Sequence, residues 1–309
     1  MITGLPSLTH PMTFTDADLP PLYHAADKSS MEAQARFLWA TRIRLFGIIG
    51  AAFFGLFAWK FDSSPVDWSG VLAAACFVVV LVVEGFLFQT KPERTWYEGR
   101  AAAESVKTLS WRYAVGGEPF KVGIDAGPNV SDLFLARLRS LFDVVKDLDL
   151  VPPTSSQQQI TQRMREVRAA SLNDRKVIYE SGRVSNQQDW YQGKAKRNIR
   201  TARWWTIAVL VVEIAGITCA ILKAVGTIEG DLLTFSGVII VAITAWLQAK
   251  QYRTLATAYT VTALELASVR SKIMDQMNET EWATFVSDAE EAFSREHTLW
   301  KASRGIGWR

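Results

Sequence analysis

The sequence predicts an all-α membrane protein: four transmembrane helices arranged as two hairpins, with long cytoplasmic helical extensions. Three observations predict it. Apolar residues make up 49% of the 309 and are gathered into four blocks, with charges almost entirely between them. The polar stretches carry helical periodicities and are too long to be loops. All 10 prolines precede position 154, so nothing beyond it forces a helix to break. The 34 Lys and Arg against 31 Asp and Glu leave +3, with only 2 Cys and 3 His. This segregation excludes an ordinary soluble fold, a disulfide-stapled secreted module and a disordered chain.

The first block, Leu45–Trp59, lies between Arg44 and Lys60, and the second, Gly70–Phe88, contains one charge, Glu84. The third, Trp204–Leu222, is interrupted only by Glu213; the fourth, Leu232–Ala249, lies between Asp231 and Lys250. About 20 helical residues cross a hydrocarbon core of roughly 30 Å, so the last three suffice. The first is short, and the stems of Arg44 and Lys60 can extend it by snorkelling. Inside lipid each segment must satisfy its own backbone, which dictates helices.

The turn at 60–69 carries Lys60, Asp62 and Asp67, and the turn at 223–231 carries Lys223, Glu229 and Asp231, a net of −1 in each case. The other flanks are basic. Residues 31–44 hold three Arg and one Glu, +2, and residues 175–203 hold eight bases and two acids, +6. The positive-inside rule then places both termini in the cytoplasm. The first 30 residues contain no apolar h-region of a signal peptide and, with Pro6, Pro11, Pro20 and Pro21, read as an irregular tail.

Residues 31–120 are expected to form a first two-span unit and 121–158 a connector containing an amphipathic helix, with Leu133, Leu138, Leu141, Phe142 and Val145 on one face. Residues 159–277 form a second two-span unit, and 278–309 a cytoplasmic helix with Trp282, Val286, Ala289, Phe293 and Trp300 on one side. The halves repeat one architecture of arm, span, short turn, span and arm. Tyr252, Leu255, Tyr259, Thr262, Leu266, Val269 and Ile273 alternate steps of three and four, a coiled-coil-like seam. Glu93, Tyr97, Arg100, Glu104, Lys107 and Trp111 make a charged stripe with the same spacing. It reads either as a solvated face or as a subunit or partner contact.

Catalytic and metal chemistry has little support. His10, His24 and His297 stand alone, Cys76 and Cys219 read as small packing residues, and neither a phosphate loop nor a nucleophile elbow is visible. No enzyme activity, cofactor or nucleic-acid partner is expected. The cluster Lys194, Lys196, Arg197, Arg200 and Arg203 suits anionic lipid headgroups. What remains is polar matter inside the membrane. Glu213 lies near the middle of span three and Glu84 near the end of span two. Gly237, Thr244, Gln248 and Gln251 share one face of span four. A carboxylate at depth must face the bundle or water, so Glu213, Thr244, Gln248 and Glu84 are the ion-pathway candidates. The plainer alternative is a hydrogen bond between helices with the acids protonated. Gly47, Ala51 and Gly55 suit close helix packing instead.

The stretches "RTWYEGRAAAESVKTLSWRYAVGGEPF" (Arg94–Phe120) and "YESGRVSNQQDWYQGKAKRNIRTARWW" (Tyr179–Trp205), together with "AWLQAKQYRTLATAYTVTALEL" (Ala245–Leu266), resemble signatures of the SLATT superfamily. These are two-span membrane effector domains of bacteria, associated with second-messenger synthetases and SLOG sensors. The resemblance implies a tandem of two such units, homo-oligomerisation and a pore-forming role in bacterial defence, with a nucleotide-signalling sensor protein as a partner. The motif residues are Trp96, Arg100, Glu104, Lys107, Trp111, Arg112, Gln187, Trp190, Tyr191 and Lys194, candidates for assembly or partner docking. A regulated, cation-permeable pore is the expected function. The alternative is a non-conducting membrane scaffold that recruits a cytoplasmic partner through its helical arms.

Overall fold

The computed structural model describes residues 12–60, 66–123, 129–145, 158–228 and 230–303, and side chains among them except those of 142–145 and 294–303. The side chains of Phe142, Val145, His297 and Trp300, the turn residues Asp62 and Glu229, and residues 1–11 with His10 lie outside that description. Apart from an isolated Lys60–Asp67 bridge, the described structure is helical. The helices are α1 (Pro21–Phe54), α2 (Trp68–Thr90), α3 (Pro92–Val115), α4 (Val130–Val145), α5 (Gln162–Ala169) and α6 (Leu172–Tyr179). A π-helical segment, Glu180–Ser185, leads into α7 (Asn186–Ala224), followed by α8 (Leu232–Lys250), α9 (Tyr252–Ile273) and α10 (Glu279–Ser303). An uninterrupted helix through span four is not what forms. Gln251 adopts a left-handed conformation, φ 48°, and separates α8 from α9; Lys91, φ 41°, separates α2 from α3 in the same way. Each donates its N–H four residues back, to Leu247 and Leu87, which closes the preceding helix.

The chain divides into two compact units. One comprises Met1–Met31, Thr95–Gly193 and Ala258–Arg309; the other comprises Glu32–Arg94 and Lys194–Thr257. Each takes residues from both halves of the sequence.

The second unit holds the four apolar segments. Parts of α1, α2, α7 and α8 are long and apolar enough to cross a membrane, and few of their residues are fully buried within the chain. Phe77, Leu81, Val82, Val211, Ile214, Ile217 and Val241 are all exposed. A continuous apolar surface of that extent requires lipid or another protein around it. Small residues set the helix contacts. A Cβ on Gly47 would lie 2.7 Å from Val80 of α2, and one on Gly50 would lie 3.2 Å from the Cys76 Sγ. Ala51 is buried, but Gly55 meets only its own helix. Phe53 of α1 reaches Phe235 of α8 at 5.9 Å between ring centroids, and Gly216 of α7 lies against Ser236 of α8. Asp67 caps α2, accepting from the Ser69 N–H and hydroxyl, and these bonds lower its carboxyl pKa.

The first unit has a core of soluble-protein type, with α3 in its middle. Tyr97, Ala102, Val106, Trp111, Tyr113 and Val115 are all buried, as are Glu104 and Lys107. Most of the charged stripe is therefore enclosed rather than solvated, and α3 is covered over most of its surface, with Arg94 and Ser105 exposed, as befits a central helix. Residues expected in an irregular tail contribute to the same core: Phe14, Leu19, Leu22 and Ala26 are buried, and α1 already starts at Pro21. On α4 the inward residues are Phe134 and Leu138, whereas Leu133 is exposed. On α9, Thr262, Leu266 and Ile273 of the seam are buried, and α10 buries Trp282, Val286, Ala289 and Phe293 as expected.

The end of α3 is locked by other elements. Gly116, φ 83°, and Gly117 both donate to the Arg112 carbonyl, a left-handed cap that favours glycine. The remaining orphan carbonyls take charged and indole donors. Arg175 Nη1 and Trp282 Nε1 both donate to the Val115 oxygen, at 2.9 and 2.8 Å. Arg168 bridges the oxygens of Tyr113, Phe120 and Lys121 at 2.6–2.8 Å. A Cβ on Gly117 would sit 2.5 Å from Val286 Cγ1, and one on Gly116 would sit 2.6 Å from Arg175 Nη1. Gly116→Ala is expected to lower unfolding stability by about 1–3 kcal/mol through backbone strain and displacement of Arg175. Chemical denaturation of the detergent-solubilised chain would measure it.

Candidate functional site

Two sets of polar residues stand out, one in each unit. In the membrane-type unit, Glu84 of α2 pairs with Arg44 of α1 at 3.0 Å. This ion pair edges a groove of about 590 Å³ walled by α1 and α8 residues such as Ile48, Gly237, Val241 and Ala245. Glu213, near the middle of the apolar stretch of α7, is exposed and has no hydrogen bond or ion pair within the chain among the described residues. Thr244 and Gln248 are exposed on α8, and the Thr244 hydroxyl turns back to the Ile240 carbonyl at 2.9 Å. No hydrogen bond joins Glu213 to either. The four ion-pathway candidates therefore part: Glu84 is neutralised inside the chain and Glu213 is not.

In the other unit the arm motifs converge. Arg183, within the π-helical segment, is fully buried, and so is Glu290 of α10. The pair is bidentate: Nε donates to Oε1 at 2.9 Å and Nη2 to Oε2 at 2.7 Å. The Tyr179 hydroxyl donates to the same carboxylate at 3.0 Å and the Thr108 hydroxyl at 2.9 Å. All four lone-pair directions of Glu290 are thus occupied, which is what a buried charge needs. The guanidinium lies over Phe293, 4.5 Å from the ring centroid, and its Nη1 faces Glu104 Oε1 at 3.6 Å. Glu104 also receives Gln187 at 3.5 Å. Lys107 pairs with Asp16 at 2.6 Å, and Arg100 with Asp27 at 3.7 Å.

Sequence reasoning expected the ten motif residues to form a docking surface, and the structure divides them. Glu104, Lys107, Trp111 and Tyr191 are buried within the chain and serve its core; Trp96, Arg100, Arg112, Gln187, Trp190 and Lys194 are half-buried. Trp111 packs edge-on against Phe14 at 4.6 Å, and against Tyr179 at 5.8 Å. Arg112 donates to the Ser287 carbonyl, Arg100 lies 6.0 Å from the Trp190 ring, and Tyr191 meets Tyr259 of α9. Arg183 and Glu290 were not among the sequence-derived site residues. Arg183 lies off the three-and-four spacing because π-type turns shift the register, and Glu290 is a lone acid on an otherwise apolar helix face. Among the described residues no cluster of His, Cys, Asp and Glu has the grouping of a metal site.

Comparison with known families decides the lineage. Residues 20–176 match the SMODS and SLOG-associating 2TM effector domain 3, and residues 179–300 match the SMODS and SLOG-associating 2TM effector domain 1. The chain belongs to the SLATT superfamily. No curated protein and no solved structure matches it. In this SLATT tandem the buried network joins the two matched segments, since Glu104 and Thr108 come from the first and Arg183 and Glu290 from the second. The two SLATT domains share one core in the polar unit; they are not beads on a string.

Two measurements test this network. Arg183→Ala or Glu290→Ala leaves an uncompensated buried charge and is expected to cost about 3–5 kcal/mol, whereas Arg183→Met with Glu290→Leu costs much less than the sum. Denaturant unfolding of all three variants checks it. Tyr23 reports on the Asp16–Lys107 corner. Burial raises its phenol pKa well above the usual value, and Asp16, Asp27 and Glu104 push it the same way. The neutral phenol is therefore favoured in the folded state. Its stabilisation is complete below about pH 10 and is lost as pH rises towards the raised value. Tyr23→Phe is expected to lose less thermal stability than wild type between about pH 10 and 12, as followed by circular dichroism.

Proposed function

We propose that the chain assembles with copies of itself into a regulated, cation-permeable pore in the inner membrane of a bacterium, with both termini cytoplasmic, acting as an effector in a defence system. The observation that carries this reading is Glu213. A carboxylate in the middle of an apolar helix, exposed and without a partner among the described residues, costs several kcal/mol against lipid. That cost vanishes where copies of the helix enclose water, and repetition by symmetry then makes a ring of acids that favours cations. Thr244 and Gln248 add exposed polar groups on α8. Counting from the Gly216–Ser236 contact, Thr244 lies about one helical turn along the axis from the level of Glu213. Glu84 takes a different role here, because its Arg44 partner already balances it.

The polar unit couples to the pore in this proposal. Its core includes parts of both motif stretches, and the half-buried Trp96, Arg100, Arg112, Gln187 and Trp190 keep some surface with which to meet a partner or a neighbouring copy. A nucleotide-signalling sensor protein is the partner that the family's name suggests. A second reading, a sealed scaffold that recruits a cytoplasmic protein, draws on the size of that unit, which exceeds what loops of a pore require.

Ion flux from liposomes containing the purified chain tests the pore. Wild type is expected to pass cations over anions, and Glu213→Gln to lower cation flux and selectivity several-fold. Unchanged flux and selectivity remove Glu213 from the pathway. An oligomer that passes no ion under any condition, yet captures a soluble protein through residues 93–113, supports the scaffold.

A further inference from the structure

The membrane-type unit contains a cationic site that the pore reading does not use. Arg42 of α1 lies 5.6 Å from the Trp39 ring centroid and 5.2 Å from that of Trp246 on α8. Lys250, at the end of α8, approaches the same Trp246 ring at 5.7 Å and the Tyr252 ring at 5.9 Å. Two cations thus share one indole. Among the described residues no carboxylate pairs with Arg42 or Lys250. Gathering like charges without an acid is unfavourable unless an anion completes the group. Burial depresses the Lys250 pKa, and the charges of Arg42 and then Lys194 depress it further.

The surroundings say which anion. Arg42 precedes the apolar stretch of α1 and Lys250 follows that of α8, so both stand at span boundaries, where phosphates of a bilayer lie. Tryptophan and tyrosine rings at that level are typical of the headgroup region. The apolar groove described above begins one turn further along the same helices: Leu45 and Ile48 follow Arg42, and Ala242 and Ala245 precede Trp246. It has a free wall at Gly237, where an added Cβ would meet nothing within 4 Å. A cationic mouth beside an apolar slot is complementary to an amphiphile with an acidic head.

We propose that Arg42 and Lys250 bind the phosphate of an anionic phospholipid, with one acyl chain lying in the groove between α1, α2 and α8. The site binds one lipid in a defined place, unlike the diffuse attraction of Arg197, Arg200 and Arg203, and it does not depend on whether the assembly conducts.

The test uses the full chain purified in a neutral detergent, with thermal unfolding followed by tryptophan fluorescence while phosphatidylglycerol is added. Phosphatidylcholine with the same chains and soluble glycerol phosphate serve as comparisons. Phosphatidylglycerol is expected to raise the melting temperature saturably, and the other two are expected not to. Arg42→Gln with Lys250→Gln should raise the half-saturating lipid concentration about tenfold or more, whereas Arg197→Gln with Arg200→Gln, the same loss of charge elsewhere, should leave it within about twofold. Gly237→Leu, which fills the groove without touching a charge, should weaken the lipid effect several-fold. Equal stabilisation by phosphatidylcholine, reproduction of the effect by glycerol phosphate, or equal loss in the two charge variants would each overturn the site. If Arg42→Gln with Lys250→Gln does not fold, Gly237→Leu decides, and an unaltered lipid response there rejects the proposal.

Discussion

The ion pair between Arg183 and Glu290 is the contact on which the polar unit's arrangement turns. Both side chains are fully buried, and the carboxylate takes two bonds from the guanidinium and one each from Tyr179 and Thr108. Such a pair contributes little net stability compared with apolar residues of the same volume, because desolvation offsets the attraction. Its effect is selective. Any packing that separates the segment after α6 from α10 leaves a charge without partner or water, so alternative arrangements of the helices are penalised far more than the native one is favoured. The aromatic chain Phe14–Trp111–Tyr179–Trp282 then packs around a fixed framework.

Two kinds of environment divide this chain, and the division cuts across the duplication rather than along it. Each SLATT domain contributes two apolar segments to one unit and its arms to the other. Lipid-type segments satisfy their backbone alone and meet through small residues, as at Gly47–Val80 and Gly216–Ser236. The arms depend on donors from elsewhere in the sequence. Arg168 and Arg175, from between the two pairs of spans, close the end of α3, and Trp282 reaches the same carbonyl from α10. Neither SLATT domain of this pair completes its polar core alone.

The four spans, the class of fold and the inward faces of α9 and α10 were legible because length and period are intrinsic to the sequence. The errors share a cause. Pro20 and Pro21 read as breakers, yet proline at the first position of a helix needs no N–H partner, and α1 begins there. The charged stripe on α3 reads as solvated or docking because periodicity cannot show that acids elsewhere, such as Asp16 for Lys107, will cover it. Phe134 replaces Leu133 because a one-residue offset in helix phase changes which neighbour faces in. Of the membrane acids, the sequence could rank depth but not pairing, and pairing is what distinguishes Glu84 from Glu213.

The two left-handed residues, Lys91 and Gln251, bear on how motion could pass along the chain. Glycine at such an elbow would occupy a broad basin and let the following helix swivel, whereas a side chain confines φ and ψ to a narrow well. Lysine and glutamine there make each bend stiff, at a cost of roughly 1 kcal/mol. A stiff elbow after each second span means that tilting α2 or α8 must steer the start of α3 or α9 instead of being absorbed at the joint.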